Sequence, residues 1–214
     1  MYAGTKLTQT VASVLLLSCT LVAQAEVIIY SDRSDFERDV PSPSILTFDG
    51  IAAPNQWVVL GTSWTSQGVT FADPANVYAV NDRLSPDAPG HGRQYLIGDG
   101  GDDLTISLPR YVTAVGMYCF VHVSAGATFT FSDSNQLTVH DLPIGIFLGA
   151  ASTDPGVSVT GVVLQTTGYP DYNNSGIDDF AFGTYVPEPA TLSLLALGGL
   201  AVIRRRWRIN LGTP

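Results

Sequence analysis

Residues 104–108 read Leu104-Thr105-Ile106-Ser107-Leu108, and residues 127–132 read Ala127-Thr128-Phe129-Thr130-Phe131-Ser132. In both, apolar and hydroxyl side chains alternate with a period of two, which buries one face of an extended strand and leaves the other in water. Outward from these two runs, short segments rich in Val, Ile, Thr, Tyr and Phe predict further strands at 27–30, 45–49, 68–71, 77–80, 94–97, 112–123, 137–141, 144–148, 158–166 and 177–182. Gly, Pro, Asn and Asp separate them, as turns require. Residues 31–39 (SDRSDFERD) open with a capping residue and place acids in the first turn, so they predict the one helix of the body. So many short strands without helix–strand alternation predict an all-β fold, an antiparallel β-sandwich of the jelly-roll kind with one short N-terminal helix.

The two ends of the 214-residue chain differ in composition from this body. Residues 1–25 contain Lys6, an apolar stretch over 11–22 and the small-x-small site Ala23-Gln24-Ala25 ahead of Glu26, the pattern of a secretory signal peptide cut after Ala25. A lipobox reading of Leu16-Leu17-Ser18-Cys19 competes with it, but the Ala-Gln-Ala site is better formed. Removal of this segment leaves Cys119 as the single thiol, inside a hydrophobic run that predicts a buried, inert side chain. No intramolecular disulfide then forms, and the domain is held by its core.

At the other end, Val186-Pro187-Glu188-Pro189 is followed by fourteen uncharged residues, 190–203, and then by Arg204-Arg205-Arg206-Trp207-Arg208. The Leu/Ala-rich run predicts a helix about 21 Å long at ~1.5 Å per residue. Snorkelling arginines and an interfacial Trp extend its reach toward a bilayer core of ~30 Å, and the arginine cluster stays on the cytoplasmic side. The domains expected are therefore 1–25 signal peptide, 26–185 β-sandwich, 186–208 sorting signal with a transmembrane helix, and 209–214 a short tail, with 185–189 as the linker. Removing both signals leaves about 160 residues, the size of a single domain.

Charge narrows the partners. All 19 acidic residues lie within 26–188, which hold five arginines and no lysine, a net −14 for that stretch. Such a surface repels phosphate backbones and excludes nucleic acid as a partner. His91, His122 and His140 have no metal-ligand spacing and there is no G-x-S-x-G elbow, so the chain is not expected to be an enzyme. Neighbouring Asp178 and Asp179 are expected on opposite faces of a strand, where they cannot flank one glycosidic bond.

The Pro187-Glu188-Pro189 triplet, the apolar helix and the arginines Arg204, Arg205, Arg206 and Arg208, in that order, resemble the PEP-CTERM sorting signal of Gram-negative and related environmental bacteria. That resemblance implies processing by an exosortase, transient anchoring in the inner membrane, and sorting to the cell surface or extracellular polysaccharide matrix. The role implied is non-catalytic, structural or exopolysaccharide-associated. The alternatives are a carbohydrate-binding module with a defined glycan and, behind it, a secreted hydrolase.

More loosely, Leu46-Thr47-Phe48-Asp49-Gly50 and Ile177-Asp178-Asp179-Phe180 resemble lectin-like bodies of other PEP-CTERM proteins. This implies a structural calcium shared by Asp49 and Asp178 or Asp179. The acidic loops at 99–103 and 171–179 supply the oxygen donors that calcium prefers, although they lack the closing Glu of an EF-hand. Trp57, Trp64, Tyr78, Tyr95, Tyr169 and Tyr172 are expected in or near loops where flat rings stack on sugars, with Trp64, Tyr169 and Tyr172 the chosen glycan-binding candidates.

Overall fold

The computed structural model describes residues 26–81, 94–98, 103–121, 125–143, 145–165 and 175–186. In chain order the elements are β1 (Val27–Tyr30), α1 (Arg33–Asp39), β2 (Ser44–Leu46), β3 (Gln56–Ser66), β4 (Val69–Asn81), β5 (Gln94–Gly98), β6 (Leu104–Ser107), β7 (Ala114–Val121), β8 (Ala125–Phe131), β9 (Gln136–Leu142), β10 (Ile146–Ser152), β11 (Val159–Gln165) and β12 (Ser175–Gly183). All pairings are antiparallel, in the order β1-β10-β7-β12-β5-β4-β6-β11-β8-β9, with β2 on β12 and β3 on β4.

The path is one hydrogen-bonded sheet that curls into a sandwich, and β4 is its corner. Residues 70–72 pair with β6, whereas residues 77–81 pair with β5. Between them Asp73 Oδ1 accepts from the amides of Ala75 (2.8 Å) and Asn76 (3.1 Å), a turn-like bond that bends the strand at Pro74. Opposite this bend β3 shifts register on both sides of Gly61, whose φ of 91° suits glycine. The two strands expected at 68–71 and 77–80 are thus one bent strand, and β3 lies where no strand was expected.

The space between the halves is filled by Phe48, Phe71, Phe129 and Phe180 with Leu96, Leu104, Ile106, Met117, Leu164 and Ile177, all fully buried. Each contributes roughly 1.5–3 kcal/mol by removal from water. The alternation over 104–107 and 127–131 places Leu104, Ile106, Ala127, Phe129 and Phe131 in this core, as their period demands. Cys119 is fully buried there, and burial pushes its thiol up to about 12.

A second, smaller cluster lies on the opposite, outer face of the half formed by β1, β10, β7 and β12: Tyr30, Phe36, Val40, Ala114, Phe147, Ala151 and Ala181. Helix α1 forms it. Asp32 caps the helix by accepting from the Ser34 amide at 2.7 Å. Phe36 then inserts between Tyr30 (ring centroids 5.4 Å apart) and Phe147 (5.6 Å). Gly116 and Gly149 leave the room for these rings: a Cβ on Gly116 would overlap the Phe147 ring.

The end of the described chain is fastened beside α1. The Tyr185 amide donates to Thr113 Oγ1 (2.8 Å) and the Val186 amide to the Asp39 carbonyl (3.0 Å). Tyr185 and Val186 are therefore docked on the domain and are not free linker. Among the described residues no helix is long and apolar enough to cross a membrane. The signal peptide, the 190–203 helix and the 209–214 tail lie outside the described residues.

Candidate functional site on the outer face of the sheet

Strand register aligns one line of side chains across the outer face. Phe147 on β10 is opposite Tyr118 on β7, and Tyr118 is opposite Asp178 on β12. The β12–β5 register, continued one step from Ile177↔Leu96, brings Asp178 level with Tyr95. Tyr95 is opposite Val80 on β4, and Val80 is opposite Trp57 on β3. The result is Phe147-Tyr118-Asp178-Tyr95-Val80-Trp57 over six strands. Aromatic residues at β7, β5 and β3 recur on alternate strands, about 10 Å apart at ~4.8 Å per strand.

Exposure grades along this line. Trp57 is 53 % exposed and its neighbour Val59 58 %, whereas Val80 and Ile97 are buried at the floor between the rings. Tyr78, one step along β4 and opposite Val59, meets the Trp57 ring edge-on at 6.0 Å. At the other end, Tyr118 and Phe147 floor a cleft of about 520 Å³ whose polar wall is Ser31, Asp32, Arg33, Ser34 and Glu37.

Arg33 organises that end. Its Nε donates to Glu37 Oε1 at 2.7 Å, its Nη1 to Asp179 Oδ2 at 2.6 Å, and its guanidinium carbon lies 5.9 Å from the Tyr118 ring centre. Burial opposes its charge, but the two carboxylates prevail and hold it protonated well above the ordinary arginine range.

Asp179 reaches Arg33 because β12 carries a bulge. Ile177 faces the main core, Asp178 faces outward, and the register shifts before Ala181, with Asp179 at φ 46°. Phe180 returns to the core and Ala181 faces the outer cluster. The extra residue turns both carboxylates to the outer side, which corrects the expectation of opposite faces.

Both are buried, at 2 % exposure. Asp178 Oδ1 accepts from the Asp179 amide at 2.7 Å, while its Oδ2 is enclosed without a hydrogen bond. Burial first, then the charge of Asp179 and more weakly that of Asp49, push the Asp178 carboxyl up to about 7.

The calcium set expected from Asp49, Asp178 and Asp179 is only partly gathered. Asp49 is close enough to act on Asp178, but it is itself exposed, and Asp179 is taken by Arg33. Among the described residues no group of three or more His, Cys, Asp and Glu is placed to hold a metal ion.

Of the glycan candidates, Trp64 stacks on Phe71 (5.7 Å, 29°) and meets Phe48 edge-on, so it packs at the margin of the main core, away from the row. Tyr169 and Tyr172 lie outside the described residues. Tyr78 and Tyr95 lie on strands expected to hold them, whereas Trp57, expected in or near a loop, is on β3. Tyr118 was not anticipated as a site residue; its position inside a long apolar run concealed which face it occupies.

The C-terminal segment supplies the remaining finding. Residues 186–208 match the PEP-CTERM protein-sorting motif. The chain carries a PEP-CTERM tail. Of that tail, Val186 is described, and it leaves the domain beside α1. Ala23 and Ala25 of the expected cleavage site, and Pro187, Glu188, Pro189 and the four arginines of the PEP-CTERM tail, lie outside the described residues; Glu26 is described and exposed.

No curated protein matches the sequence. Among solved structures, TmCBM61 in complex with β-1,4-galactotriose is similar at 17 % identity over 64 % of this chain and 90 % of that one, with a TM-score of 0.33. The C-terminal family 22 carbohydrate-binding module of Clostridium thermocellum Xyn10B is similar at 14 % identity over 70 % and 97 %, TM-score 0.32. The catalytic unit of a GH87 α-1,3-glucanase from Streptomyces thermodiastaticus strain HF3-3 matches at 15 % identity over 71 % of this chain but 28 % of its own length, TM-score 0.34.

Proposed function

We propose that this chain is an exported surface protein whose sandwich holds an extracellular polysaccharide across its outer face, without catalysing a reaction on it. The PEP-CTERM tail supports the sorting half of this reading: an exosortase cuts it after residues 190–203 have anchored the protein in the inner membrane, and the body passes to the cell surface or matrix. The signal-peptide pattern read in the sequence of residues 1–25 supports export.

The binding half rests on one observation, the register row that puts Tyr118, Tyr95 and Trp57 on alternate strands of one face, ending in a half-exposed Trp. A spacing of about 10 Å is comparable to two linked pyranose rings, so a linear glycan lying across the strands meets a ring at every second sugar. The polar wall of Ser31, Asp32, Ser34 and Glu37 offers hydroxyl and carboxylate partners at the Tyr118 end.

Absence of catalysis is supported by the carboxylate arrangement. Asp178 and Asp179 are adjacent, enclosed, and one is neutralised by Arg33, whereas glycoside hydrolysis needs two carboxyls flanking the bond. The test is a glycan array probed with the full-length protein in mild detergent, wild type and Trp57→Ala. Saturable binding weakened about tenfold by the substitution, ~1.4 kcal/mol, supports the reading. A purely structural matrix protein shows no saturable binding.

A further inference from the structure

The charge around this row selects among polysaccharides. The described basic side chains of the body are Arg33, Arg38 and Arg110. Arg33, at the Tyr118 end, is committed to Glu37 and Asp179. Arg38 is committed to Asp35 at 2.7 Å and Asp39 at 2.9 Å. Arg110 lies on the β6–β7 connection, away from the row. Arg83 and Arg93 fall outside the described residues.

Against these stand Asp32, Glu37, Asp49 and Asp179 around the Tyr118–Asp178 part of the row. Asp32 is held below the ordinary carboxylate range by the Ser34 hydroxyl and amide, so the rim of the cleft stays anionic into acid. Ion pairing of Arg33 to two carboxylates, through Nε and Nη1, offsets the charge it presents to an incoming acid.

We infer that the outer-face row takes an uncharged polysaccharide and rejects uronate-rich or sulfated ones. This deepens the glycan-binding reading above and rests on it. A neutral sugar stacks on Trp57, Tyr95 and Tyr118 and bonds the Ser31, Asp32 and Ser34 oxygens through its hydroxyls. A uronate or sulfate in the same place faces several carboxylates with the nearest cation occupied. Discrimination by repulsion of this kind is specificity built against the wrong ligand.

Affinity electrophoresis of the full-length protein in mild detergent tests it, with neutral β-linked galactan and glucan set against polygalacturonate and dextran sulfate. At low salt the neutral polymers bind at least tenfold more tightly than the acidic ones. High salt narrows that gap by screening the acidic polymers and leaves neutral binding unchanged. Glu37→Gln, which releases one of the two carboxylates on Arg33, also narrows it. Acidic polymers that bind as tightly as neutral ones, or weaken with salt, overturn the inference while keeping the glycan reading. Failure of all four polymers overturns the glycan reading itself.

Discussion

Replacing Asp178 by Asn exposes the electrostatic strain under the candidate site. The Asp178 carboxyl is pushed up to about 7 by its burial between β7 and β5 and by the adjacent Asp179 charge, and its Oδ2 receives no hydrogen bond. In the unfolded chain the same group titrates near the ordinary Asp value of ~3.9. Below about pH 4 both states hold the proton and the group contributes nothing to the pH dependence.

Between about pH 4 and 7 the folded protein keeps a proton that the unfolded chain has lost, so this group makes stability fall as pH rises. At ~1.4 kcal/mol per pKa unit the loss reaches about 4 kcal/mol and is constant above pH 7. Asn imitates the neutral acid. Asp178→Asn is therefore expected to match wild type near pH 4 and to exceed its stability by a few kcal/mol at pH 8.

Urea unfolding of the two proteins, followed by fluorescence across pH 4 to 8, measures the difference directly, and titrations common to both cancel. A difference that stays flat with pH, or grows toward acid, refutes the reasoning.

The remaining predictions follow from the same contacts. Arg33→Ala removes the cation that faces buried Asp179 and is expected to cost about 3–5 kcal/mol; it also moves the Asp178 titration further up, because the Arg33 charge is one of the influences that lower it, and NMR of the carboxyl carbon reads that shift. Gly116→Ala drives a methyl into the Phe147 ring and is expected to lower stability by about 1–3 kcal/mol in thermal or urea unfolding. Cys119, buried with its thiol pushed up to about 12, is expected to resist alkylation at pH 8 until the protein unfolds, with labelling located by mass spectrometry. Chelation is expected to leave the unfolding midpoint unchanged, since Arg33 supplies the positive charge that faces Asp179; a lower midpoint after chelation would restore calcium to Asp49 and Asp178.

The strand-and-turn grammar of this chain was readable wherever one face of a strand is dry and the other wet. Residues 104–107 and 127–131 satisfy that condition, and their alternation maps directly onto the core. β3 fails it. Among the described residues it is joined to the sheet only through β4, both its faces are partly wet, and register shifts around Gly61 break its period, so residues 56–66 carry no alternation to detect. Its two tryptophans face opposite ways, Trp64 inward to Phe71 and Trp57 outward to Tyr78.

The site was harder to read than the fold. Its row is a product of register between strands distant in sequence, as when residue 57 comes level with 80, 95 and 118. No spacing along the chain encodes that. The bulge that turns Asp178 and Asp179 to one face leaves no local signature either, because Asp179 takes a positive φ without being glycine. The C-terminal triplet, apolar run and arginines, by contrast, act through linear order and needed no fold to be recognised.

Trp57 offers the most direct test of the central claim, since it is half-exposed at the open end of the row while Trp64 packs at the core. Titrating the full-length protein with a neutral linear polysaccharide while following tryptophan emission is expected to give a saturable change that Trp57→Ala abolishes and Trp64→Phe retains. A change that survives Trp57→Ala, or no saturable change with any neutral glycan, would contradict the account.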